Sequence, residues 1–136
     1  MKKVRKFQRF LFPVLISATI NLLSAGRTAA QNKSNYIRIA KIVVDSAQLD
    51  TYKAALKEGV ETAVRKEPGV LMLYAVYAKE HPTQVTVFEI YKDEEAYKTH
   101  IQTPHFKKYK NTVATMVKSL ELTDVAPIAM KAKQNH

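Results

Sequence analysis

The chain has 136 residues, no cysteine, no tryptophan and a formal net charge of +10 at pH 7. That length suits one domain, and the lack of cysteine excludes a disulfide scaffold. The basic excess sits mostly at one end. Residues 1–30 hold six Lys or Arg and no acid, so the remainder carries +4 with its charges interleaved, which leaves no basic stripe for nucleic acid.

Lys2, Lys3, Arg5, Lys6 and Arg9 form a basic leader before an apolar run over residues 10–23. That run falls short of the roughly 20 apolar residues that span a bilayer. Pro13, Ser17, Thr19 and Asn21 also interrupt it, and Thr28-Ala29-Ala30 offers a small-x-small cleavage site before Gln31. The pattern predicts a secretory signal peptide over residues 1–30 and an exported, periplasmic protein. Left uncleaved, the leader is a membrane anchor and the chain's one membrane contact. With no cysteine beside the cleavage site, lipid anchoring is excluded. Residues 31–136 then form a single domain with its core over about 36–130.

Within that domain, residues 36–44 are rich in β-branched side chains and read as a first strand. Asp45 is placed to cap the next helix, with Gln48 three residues on in a capping-box-like pair. Leu49, Tyr52, Leu56, Val60 and Ala63/Val64 recur at helical spacing until Pro68-Gly69 stops the helix. Residues 70–79 and 84–92 read as strands joined by a loop at His81-Pro82-Thr83. Asp93 caps a short helix through Ile101, and Thr103-Pro104 opens another, with Phe106, Tyr109, Val113, Met116/Val117 and Leu120 as its stripe. A last strand is expected over residues 121–130.

This order predicts an α+β, ferredoxin-like split βαβ fold with a four-stranded antiparallel sheet. In the second strand Val70, Met72, Tyr74 and Val76 alternate with Leu71, Leu73, Ala75 and Tyr77, so both faces are apolar. Helices on one side cover one face, and a second copy of the chain is expected on the other, as a homodimer packed sheet to sheet.

Five segments carry a family resemblance: Glu67-Pro68-Gly69-Val70, Val87-Phe88-Glu89-Ile90-Tyr91, Asp93-Glu94-Glu95-Ala96, His100 and Thr103-Pro104-His105-Phe106. In this order and spacing the chain resembles the antibiotic biosynthesis monooxygenase (ABM) domain family, in the dimeric α/β-barrel superfamily. The resemblance implies one of several activities: oxidation of quinols or polyphenols by molecular oxygen without a cofactor, haem degradation, or isomerisation of a phosphorylated signalling compound. The Pro127-Ile128-Ala129-Met130 ending is similar to the quinol-oxygenase-like and signal-processing members. Haem-degrading relatives use a tryptophan to ruffle the haem, and this chain has none.

The expected function is therefore a cofactor-independent quinol monooxygenase acting on a small aromatic substrate and molecular oxygen. The alternatives are an isomerase-like processing of a small signalling metabolite and a non-catalytic, ligand-binding dimer. His105, in the first turn of a helix whose positive end disfavours a charged imidazole, is the leading candidate base, with His100 beside it. Glu89 shares a strand face with Val85, Val87 and Tyr91, and burial there is expected to raise its pKa. Tyr74, Tyr91, Phe106 and Tyr109 are the candidate cavity walls. Glu89, His100 and His105 would also make a facial metal set. Pro104 between histidines five apart argues against it, so no cofactor and no metal are expected. His81 and His136 are expected in solvent, and Met72, Met116 and Met130 in core or interface packing.

Overall fold

The computed structural model describes residues 34–133, so the leader over residues 1–30 lies outside the described residues. The elements are β1 (Tyr36–Val44), α1 (Leu49–Lys66), β2 (Val70–Tyr77), β3 (Gln84–Tyr91), α2 (Glu94–His100), α3 (Pro104–Val113) and β4 (Val117–Val125), with a 3₁₀ turn at Ser46–Gln48. The strands form one antiparallel sheet in the order β2-β3-β1-β4. This is the ferredoxin-like α+β arrangement that the element order predicts. Among the described residues no helix is long and apolar enough to cross a membrane.

Register decides which side chains meet the helices. Arg38 pairs with Glu89, Ala40 with Val87 and Ile42 with Val85, so these six share one face of the sheet. Ala40, Ile42, Val44, Val85 and Val87 pack there against Tyr52 and Leu56 of α1, with Val113 and Met116 closing the core. A smaller cluster of Ala63, Val70, Leu73 and Tyr91 lies beside it.

Three local expectations are corrected. Simple alternation sets Val70 and Leu73 on opposite faces of β2. The pairing with β3 shifts register between Val70 and Met72, so Leu71 has no partner, and Val70 and Leu73 are both buried. Secondly, α3 stops at Val113, and β4 runs over Val117–Val125 rather than residues 121–130. Thr112, Val113, Thr115 and Val117 are β-branched, and pairing with β1 wins over another helical turn. Leu120 is therefore a strand residue opposite Ile42. Finally, Asp45 caps the 3₁₀ turn by accepting the Ala47 N–H at 3.0 Å, while the Gln48 amide donates to the Thr115 carbonyl instead of completing a capping box. The other two caps form as read. Asp93 accepts the Ala96 N–H, and Thr103 accepts the Phe106 N–H ahead of Pro104.

One close approach fixes α2 on the sheet. A Cβ on Gly69 would stand 2.6 Å from the Cβ of Ala96, so only glycine fits under the first turn of α2. The Gly69 carbonyl also accepts the Lys92 N–H at 2.9 Å, which ties the entrance of β2 to the exit of β3.

Candidate active site

Glu67 follows the last residue of α1, where its backbone N–H bonds the Ala63 carbonyl and its extended backbone leads into Pro68-Gly69. A carboxylate at the negative end of a helix is electrostatically misplaced unless donors meet it. Two do. His100, the last residue of α2, donates from Nδ1 to Glu67 Oε1 at 2.8 Å. His105, second in α3, donates from Nε2 to the same oxygen at 2.5 Å.

The network fixes the tautomers. An ionised carboxylate accepts only, so the ring nitrogens facing it carry the hydrogens. Thr103 supports this at His105. Its hydroxyl hydrogen goes to the His100 carbonyl at 2.7 Å, so its oxygen can only accept from His105 Nε2 at 3.2 Å. With its hydrogen on Nδ1, neutral His100 keeps an open lone pair on Nε2. Among the described residues that nitrogen has no hydrogen-bond partner, and no buried side-chain nitrogen or oxygen lacks one. His100 is itself only 6% exposed and lines a cavity.

The cavity holds about 120 Å³ beneath α1 and α3. Leu56, Val60, Leu73 and Val87 give it apolar walls, Tyr91, Phe106 and Tyr109 give it aromatic ones, and Leu120 and Leu122 of β4 flank it. The His100 ring meets Phe106 edge-on at 4.8 Å and lies 5.5 Å from Tyr91, which fixes the imidazole plane.

Glu89 and Arg38 stand across the same space. Burial raises the Glu89 pKa, offset in part by the Tyr91 hydroxyl, which donates to it at 2.9 Å, and by the Arg38 charge. Burial and the neighbouring Glu89 push the Tyr91 hydroxyl far up, so it acts as a donor and not as an anion. Arg38 is held by Asp124 at 2.8 Å and by the Tyr97 hydroxyl, with its guanidinium 4.4 Å above the Tyr97 ring. The Tyr52 and Tyr109 hydroxyls bond each other at 3.1 Å, and burial raises both.

Of the seven residues singled out in the sequence, Glu89, Tyr91, His100, His105, Phe106 and Tyr109 line one cavity. Tyr74 does not; it stands on the outer face of β2, 64% exposed, paired with Phe88. The carboxylate that faces both histidines is Glu67, whereas Glu89 is taken up by Tyr91. Arg38 and Tyr97 are passed over in the sequence, and Glu67 enters there only within the Glu67-Pro68-Gly69-Val70 segment, with no role of its own. The one available signal was an acid at a helix C-terminus.

Residues 35–112 match the antibiotic biosynthesis monooxygenase family. Among solved structures, a candidate antibiotic biosynthesis monooxygenase of Bacteroides thetaiotaomicron is 51% identical, with a TM-score of 0.72 over 75% of this chain and 97% of that one. A candidate monooxygenase of Lactobacillus acidophilus is 29% identical, with a TM-score of 0.68 over 71% of this chain but 46% of that longer one. A candidate antibiotic biosynthesis monooxygenase of Nitrosomonas europaea shares the fold, with a TM-score of 0.65 at 22% identity over 69% of this chain and 90% of that one. No curated protein matches the chain.

Proposed function

The chain belongs to the antibiotic biosynthesis monooxygenase family, and from that premise we propose that it oxidises a small quinol or polyphenol with molecular oxygen, without a cofactor. The observation that carries this reading is the His100 ring, which lines an apolar, aromatic-walled cavity with its Nδ1 2.8 Å from Glu67; a hydrogen held there on Nδ1 leaves Nε2 to act as a base in the cavity. Neutral closed-shell organic molecules react slowly with dioxygen, but an electron-rich phenolate can pass an electron to it directly. His100 Nε2 takes the phenolic proton, and Glu67 stabilises the imidazolium that forms, as a carboxylate does for a histidine base elsewhere. General-base action of this kind contributes roughly 10²–10⁴-fold. Arg38 offers positive charge to the phenolate, and the apolar walls exclude water. The quinol is the sole reductant: in passing to a hydroxyquinone it gives up four electrons to dioxygen, one oxygen atom entering the product and the other leaving as water. His105, the expected base, takes instead the role of bracing Glu67.

Oxygen uptake by the purified protein with a panel of reduced quinols, corrected for autoxidation, tests this reading. The expected result is protein-dependent uptake that falls at least about tenfold in folded His100→Ala. Turnover of a metabolite without oxygen uptake would favour the isomerase-like alternative. Uptake no faster than background would overturn the oxygenase reading for those substrates.

The same proposal places the mature chain in the periplasm, on the strength of the leader, and pairs it as a homodimer through the outer sheet face. Tyr74 and Val76 support the pairing, being apolar yet 64% and 59% exposed on that face. Light scattering is expected to give twice the chain mass, and Val76→Lys the single-chain mass.

A further inference from the structure

We propose that Glu67, His100 and His105 form a binding site for a divalent transition cation, and that the cation switches off the base described above. Their three ligand atoms lie within 4.8 Å of one another. Two imidazoles and one carboxylate are a donor set that suits zinc, cobalt or iron. The ligands come from three places in the fold: the C-terminal cap of α1, the end of α2 and the first turn of α3. Tetrahedral zinc with bonds of about 2.0–2.2 Å sets its ligand atoms roughly 3.4 Å apart. The present contacts of 2.8 and 2.5 Å therefore need to open by less than about 1 Å. Among the described residues no Lys or Arg is paired with Glu67, so with neutral rings the cluster carries one uncompensated negative charge. His105, the most exposed of the three side chains at 20%, gives the ion a way in.

Binding moves protons without releasing any. The cation takes His100 Nδ1 and His105 Nε2, and the single hydrogen of each neutral ring moves to its other nitrogen. For His100 that is Nε2, which then donates into the cavity instead of accepting. A cation on one side of the ring thereby removes the base from the other. This switching step rests on the oxygenase reading, but cation binding itself does not.

The direct test is a titration of nitrogen-labelled wild-type protein with NMR-active cadmium ion. Coupling from the metal to His100 Nδ1 and His105 Nε2 is expected at one ion per chain. No coupling, or coupling only to His81 or His136, overturns the site without reference to any activity. In parallel, Co²⁺ affinity is expected to fall at least about tenfold in Glu67→Gln and in His105→Ala, since even outer residues of metal sites are worth that much. His81→Ala, in the exposed hairpin, should leave it unchanged. Zn²⁺ at saturation should slow quinol-dependent oxygen uptake at least tenfold. Faster uptake with Zn²⁺ would overturn the switch while leaving the site standing.

Discussion

Two half-buried carboxylates, Glu89 lining the cavity and Glu67 behind its histidines, have the same side chain and opposite surroundings. Glu67 accepts two imidazole N–H groups on one oxygen at the end of a helix. Glu89 sits mid-strand among apolar neighbours with one tyrosine hydroxyl for a partner, and burial raises its pKa. Glu67 is placed to orient other groups, and Glu89 to hold a proton to a higher pH than a solvated carboxylate does. Position in the fold, not residue type, divides these roles.

The largest effect that breaks this contrast is expected from Glu67→Ala. It strands the Nδ1–H of the buried His100 ring, at about 1–3 kcal/mol for a donor left unsatisfied, while the His105 Nε2–H keeps the Thr103 hydroxyl oxygen. Chemical denaturation should show the loss, and quinol-dependent oxygen uptake should fall by roughly 10²-fold or more. Glu67→Gln keeps one acceptor and is expected to lose less stability than Glu67→Ala.

Next comes Gly69→Ala. The new Cβ meets Ala96 at 2.6 Å and has to push α2, and with it His100, away from Glu67. Overpacking of this kind costs about 1–3 kcal/mol, read as a lower Tm. Tyr91→Phe is expected to cost about 1 kcal/mol and to raise the Glu89 pKa further, because it removes the hydrogen bond that favours the charged form.

Glu89→Gln sharpens the contrast through pH. Because the folded pKa of Glu89 is raised, its contribution to stability is complete below the ordinary carboxylate pKa and is lost as pH rises through the folded value. Wild type should therefore lose stability relative to Glu89→Gln from the acid side upward, and urea midpoints across that range will show it. The smallest effect is expected from Glu58→Ala at the solvent-exposed pair with Lys108, where Tm should hardly move.

The sequence carried the fold further than the site. Caps at Asp93 and Thr103, the stop at Pro68-Gly69 and the β-branched run of β1 are local signals, and each formed as read. The misreadings share one cause: tertiary pairing. The bulge at Leu71 and the early start of β4 both depend on a neighbouring strand that local periodicity does not contain. Glu89, His100 and His105 were legible as costly polar groups beside apolar ones. Glu67 was not, because its histidine partners lie 33 and 38 residues away and no local pattern joins them.

The central claim is that Glu67 holds the hydrogen of His100 on Nδ1 and leaves Nε2 free to accept a proton. Long-range proton–nitrogen NMR of the His100 ring reads this directly. At neutral pH the hydrogen should lie on Nδ1, with Nε2 at the shift of an unprotonated nitrogen, and Glu67→Ala should abolish that preference. A hydrogen found on Nε2 in the wild-type protein would contradict the account.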